Sequence, residues 1–251
     1  MVRHARKAGR KASQAIDRAG SVAGEAIGRA GAAAGDAAAR VKPRLRGVIH
    51  QYAFWVAIGL ALVLVWRAST AKGTAAMAIY GIGLVGLFGI SALYHRPDWK
   101  PKARAWMRRL DHSMIYVFIA ASVTPFALLV LDGGLAWAVL AIAWGGALLG
   151  VLLSVLWVSA PKWLTVGIYV ALGWAGVICA PKIFDALGWW AIVGLVLSGL
   201  LYTAGGIIYA TGRPDPAPRT FGYHEVFHSL VTGAAGAHYL VVAVLVLPLA
   251  A

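Results

Sequence analysis

Four polar residues in a strongly apolar chain have the types and spacing to hold a metal ion. His224 and His228 lie four apart in His224-Glu225-Val226-Phe227-His228, so on a helix both imidazoles point the same way and can reach one ion. His95 closes the segment Ser91-Ala92-Leu93-Tyr94-His95, and Asp111 opens Leu110-Asp111-His112. Three histidine ligands leave a fourth position open, which is the pattern of a catalytic zinc site rather than a closed structural one. Zinc so held lowers the pKa of a bound water to about 7 and polarises carbonyl groups. Asp111 could hold and deprotonate that water. Ser91, one turn before His95 on the same face, could hydrogen-bond the water or a substrate oxygen.

Each residue also has a plainer reading. A histidine at a helix end is commonly an interfacial group, Asp111 could serve only the positive end of its helix, and Ser91 could bond its own backbone. The segment from His224 to His228 is also a literal H-E-x-x-H, in which soluble metalloproteases use the glutamate as general base. Glu225 lies about 100° round the helix from His224 and faces either the metal or the headgroups. Asp111 is the preferred base. His238 lies ten residues beyond His228, about 15 Å along a helix, so it serves a separate buried polar contact in mid-membrane. His112 points away from Asp111's partners, and His50 and His4 are expected outside the spans, in solvent.

The elements that must position these groups are membrane helices. Of 251 residues 61% are apolar and 13% charged, about half the charged fraction of a soluble domain, and the mean hydropathy is +0.75. Seven apolar runs are long enough to cross a bilayer, at 52–68, 74–95, 110–131, 135–157, 163–180, 189–209 and 224–249. The fold class is thus all-α, a seven-transmembrane helix bundle. The fifth run is short and ends at Pro181, and the fourth follows the turn Asp132-Gly133-Gly134. Glycines at 83, 86 and 89, and at 205 and 206, allow close helix packing. The lone Cys179 excludes an intramolecular disulfide.

Charge sets the expected orientation. Residues 1–50 carry 11 Lys or Arg and the loop 96–109 carries six, joined by Lys162, Arg213 and Arg219. The opposite side holds only Arg67, Lys72 and Lys182, so the bias is 20 to 3. It predicts a cytoplasmic N-terminus and an outward C-terminus, and places His95, Asp111, His224 and His228 at the cytoplasmic ends of their helices. This bias accounts for most of the net charge of +14 without a nucleic-acid partner. The chain divides into a basic Ala/Gly-rich arm, 1–48, and a membrane domain, 49–251. The arm has no apolar core near Met1, so no cleavable signal peptide is expected. It repeats every 11 residues, aligning Arg18, Arg29 and Arg40. It reads as an amphipathic helix on an anionic leaflet or as a disordered tail.

The combined motifs resemble the hemolysin III branch of the progestin and adipoQ receptor family, which includes the adiponectin receptors and is distantly similar to alkaline ceramidases. The resemblance rests on Ser91 to His95, Leu110-Asp111-His112-Ser113-Met114-Ile115-Tyr116 with Thr124-Pro125, Gly205-Gly206 with Tyr209, and His224 to His228 with Ala237-His238-Tyr239. It runs from about residue 48 to 251 and does not include the arm. It implies seven helices, zinc held by His95, His224 and His228, Asp111 and Ser91 close to the metal-bound water, and hydrolysis of a lipid amide. It also brings a second expectation, a pore-forming cytolysin, from which the bacterial members take their name. A zinc-stabilised membrane sensor or receptor uses the same ligands, and an intramembrane metalloprotease is a further competitor.

Overall fold

The structure, a computed structural model, describes residues 42–250. The basic arm lies almost wholly outside the described residues, as does His4. Among the described residues eight α-helices follow one another: α1 Val48–Arg67, α2 Ala71–His95, α3 Pro101–Leu129, α4 Gly133–Leu156, α5 Lys162–Trp174, α6 Ala180–Leu187, α7 Trp189–Thr211 and α8 Tyr223–Val241. They make seven segments long and apolar enough to cross a membrane, with α5 and α6 forming one of them. The chain is a seven-helix membrane bundle.

The helix limits follow from local chemistry. α2 starts where the Thr70 hydroxyl accepts the Gly73 N–H at 3.0 Å, and α7 ends at Gly212 in the left-handed region, a common helix stop. The fifth span does not end at Pro181 as expected. After α5 the chain tightens into a 3₁₀ segment, Ala175–Cys179, and restarts as α6 with Pro181 in its first turn, where no N–H partner is needed. α3 begins at Pro101, well before residue 110. Its first turns hold Lys102, Arg104, Arg108 and Arg109 beside Ala103 and Ala105, all good helix formers, and apolar run length cannot register a helix that leaves the hydrocarbon. Asp111 therefore sits ten residues inside α3, beyond the first turn in which a helix N-terminus favours an anion. The last span continues past α8 through a π turn, Val242–Val246, and a 3₁₀ turn, Leu247–Ala250.

Sequential helices pack as neighbours from α1 to α4, α7 packs along α8, and α8 returns to α1. Tyr80, Met77, Leu84, Phe88, Phe118, Val231 and Val242 fill the centre, while large side chains such as Trp66, Ile82, Trp137 and Leu149 face outward, as lipid solvation allows. The glycines of α2 let its neighbours approach: a Cβ at Gly83 would stand 2.5 Å from Ala121 Cβ, and one at Gly89 2.8 Å from Phe54. Because consecutive spans run antiparallel, the start of α1, the end of α2, the first third of α3 and the start of α8 share one end of the bundle.

Candidate metal centre

Three of those ends deliver the histidines. His95 is the last residue of α2, and His224 and His228 occupy the first two turns of α8. One ligand atom from each lies within 4.8 Å of the others. His224 Nε2 and His95 Nε2 are 3.2 Å apart. Two nitrogens bound tetrahedrally to zinc at about 2.0–2.1 Å stand about 3.3–3.4 Å apart, so the spacing suits a shared ion. The buried Nδ1 of His228 has no hydrogen-bond partner, and an unpartnered buried polar atom is rare in folded proteins. Three imidazoles converging on one point, with a buried nitrogen left over, fit a metal ion of the zinc class.

Asp111 Oδ2 is 4.0 Å from His95 Nε2. That is longer than the edge between two ligands of one ion and suits a carboxylate placed one hydrogen bond further out. Ser91 is buried one turn back from His95. All five residues expected at the site therefore meet at one end of the bundle.

His50 is not in solvent. It is the third residue of α1, 3% exposed, with Nδ1 2.8 Å from Ser91 Oγ. Its ring lies parallel to that of His228, centroids 3.8 Å apart, with Phe88 against its edge. The correction has a structural cause. The N–H groups of Arg44 and Leu45 donate to the carbonyls of Arg219 and Thr220 at 3.1 and 3.2 Å. These bonds fasten the approach to α1 beside the approach to α8 and lay His50 on His228. Between them Gly47, at φ 78°, turns so close that a Cβ would stand 2.6 Å from His95 Cβ, and only glycine takes that turn without strain. The one sequence signal for His50 was its place just ahead of the first apolar run, at the same end as the other histidines.

Glu225 faces neither the histidines nor the headgroups. Fully buried, it accepts the Gly222 N–H on Oε2 at 2.8 Å and pairs through Oε1 with Arg46 Nε at 2.5 Å. It caps its own helix and ties that helix to the Arg46 segment, a partner that sequence spacing could not name. His112 stays outside the cluster, its carbonyl accepting the Tyr169 hydroxyl at 3.3 Å. His238 makes a buried polar contact deeper in the bundle, with Nδ1 3.3 Å from the Tyr80 hydroxyl. Nearby, Lys162 Nζ lies over the rings of Tyr209 and Tyr223.

These features define a class, the multi-pass membrane proteins with three histidines at one end placed closely enough to bind a metal ion. The family described as haemolysin-III related matches residues 38–239, and the chain belongs to it, within the hemolysin III branch of the progestin and adipoQ receptors. The chain is 29% identical over 206 residues to hemolysin-3 of Bacillus cereus, covering 81% of this chain and 91% of that protein. It is 31% identical over 164 residues to the hemolysin-3 homolog of Bacillus subtilis, covering 65% and 74%. The human monocyte to macrophage differentiation factor is 27% identical over 168 residues, covering 64% and 66%.

Proposed function

We propose that this protein is a zinc-dependent membrane hydrolase that cleaves the amide or ester bond of a lipid-like substrate. The observation that carries the reading is the convergence of His95, His224 and His228 within 4.8 Å, with Asp111 beside them at one end of an apolar bundle. His95, His224 and His228 would hold the ion, which supplies Lewis acidity to a carbonyl oxygen and to water. Asp111 takes a proton from the attacking water as the new C–O bond forms. It returns that proton to the leaving nitrogen or oxygen as the scissile bond breaks. Ser91 hydrogen-bonds the water or the substrate oxygen. The Lys and Arg bias supports a cytoplasmic N-terminus and a site facing the cytoplasm, in a bacterial cell membrane, with the basic arm against anionic lipid.

The name hemolysin-3 carried by two relatives favours a second reading, pore formation. The centre of the bundle is filled by Met77, Tyr80, Leu84, Phe118 and Val242, and this packing weighs against a conduction path through one chain. The burial of Glu225 against Arg46 and Gly222 weighs against an intramembrane metalloprotease. A zinc-stabilised sensor remains the third reading. The deciding experiment combines metal analysis of the purified protein with lipid profiling of cells expressing wild type or Asp111→Asn. Stoichiometric zinc in both, with a lipid amide or ester accumulating only in the variant, is expected. Zinc with identical lipid profiles points to the sensor, and ion leak from zinc-free liposomes to the pore.

A further inference from the structure

We propose that His50 is a positioning residue of the metal centre, which joins the two helices that carry the ligands and holds the His228 imidazole in its plane. The inference rests on His95, His224 and His228 sharing one ion, and it needs no assignment of the reaction. Helix α1, which brings His50, packs against both α2 and α8. On α2, His50 reaches the two turns that lead to His95. Its Nδ1 is 2.8 Å from Ser91 Oγ, and its ring meets Phe88 edge-on, centroids 5.1 Å apart. On α8 it lies flat on His228, with centroids 3.8 Å apart and planes 5° from parallel. One side chain thus sets the His95 turn and the His228 ring relative to each other, although it belongs to none of the motifs at 91–95, 111–116 or 224–228.

A histidine ligand needs its ring fixed, because the torsion that turns an imidazole about its Cβ–Cγ bond is soft. The usual restraint is a hydrogen bond from the nitrogen that faces away from the metal. Nδ1 of His228 has no such partner among the described residues, so packing must hold the ring. His95, His224 and Phe227 meet that ring at 64°, 59° and 56°. His50 alone among these neighbours lies parallel to it. A flat face at 3.8 Å opposes rotation, because turning either ring drives an edge into the other. The restraint is as firm as His50 itself. A phenylalanine would fill the slot between Phe88 and His228, whereas the imidazole leaves Nε2 buried with no hydrogen-bond partner, which is unfavourable. What the imidazole adds is the bond from Nδ1 to Ser91, which anchors the stacked ring to α2 and so fixes the spacing between ligands on different helices.

The test uses the full chain in detergent, loaded with cobalt(II), whose d–d absorption bands report the geometry of its ligands, and with zinc competing for the same site. His50→Leu keeps apolar bulk and removes both the flat face and the bond to Ser91. It should lower zinc affinity about 10–100-fold, the range for groups that orient metal ligands, and shift the cobalt bands. His50→Phe restores the face and should recover most of the affinity with the wild-type bands. Gly83→Leu, about 18 Å along α2 from His95, should lower Tm without moving the bands, which separates ligand geometry from general stability. A Leu variant with wild-type affinity and bands overturns the proposal. So does a Phe variant that has lost tight binding, even if the Leu variant does not fold, and so do equal band shifts in Gly83→Leu and His50→Leu. A wild type that binds neither cobalt nor zinc sinks the shared-ion reading itself; one that binds both, with no effect of substitution at position 50, overturns only the role of His50.

Discussion

Replacing Glu225 by glutamine separates the two roles that an H-E-x-x-H glutamate can have. In the structure Glu225 is fully buried, accepts the Gly222 N–H at 2.8 Å and pairs with Arg46, whose side chain is 22% exposed. Glutamine keeps an oxygen for the cap, so the loss of about 1 kcal/mol expected for a missing helix cap is avoided. What goes is the charge on the bond to Arg46. Charge-assisted bonds contribute about 1.5–3 kcal/mol and neutral ones about 1 kcal/mol, so the difference is about 0.5–2 kcal/mol, lowered by Arg46's access to solvent. In a chain of this size that corresponds to a fall in Tm of about 1–8 °C. Thermal unfolding in a fixed detergent, with metal content and turnover of the same preparation, is the assay. Glu225→Gln should unfold earlier, keep its zinc and keep most of its turnover. A variant with unchanged Tm and turnover reduced a hundredfold or more would return Glu225 to the role of base and refute the assignment to the Arg46 tie.

Other perturbations probe the same end of the bundle. His224→Ala removes one of three ligands and should weaken zinc binding more than the about 10–100-fold of an outer-group substitution, measured by competition with a chromophoric chelator. Chelation of wild type should lower Tm and zinc restore it, since a ligand bound only by the folded state stabilises it; an unchanged Tm would count against a bound ion. Gly47→Ala puts a side chain at φ 78° and into His95. It should cost at least the roughly 1–2 kcal/mol of a left-handed residue and lower metal affinity with it, whereas an equivalent Gly59→Ala, with open space around it, should do neither. Gly83→Leu, pressed against Ala121, should destabilise by about 1–3 kcal/mol through overpacking, read as a lower unfolding temperature.

Much of this protein was legible before any fold was built. The seven spans follow from apolar run length, which bilayer thickness fixes, and the pairing of His224 with His228 follows from helical geometry; both are local properties. The alternation of spans was enough to bring His95, Asp111 and the last-helix pair to one end. Other features depend on segments far apart in the chain. Asp111 belongs to the third turn of α3 because Pro101 starts a helix among charged residues, where hydropathy gives no signal. His50 joins the site because residues 44 and 45 hydrogen-bond to residues 219 and 220, and Glu225 turns from the histidines because Arg46 is brought to it. Composition and spacing determine which groups can bind a metal. Only tertiary packing decides which neighbours orient those groups, since a hydrogen-bond partner is chosen by proximity in space and leaves no periodicity in sequence.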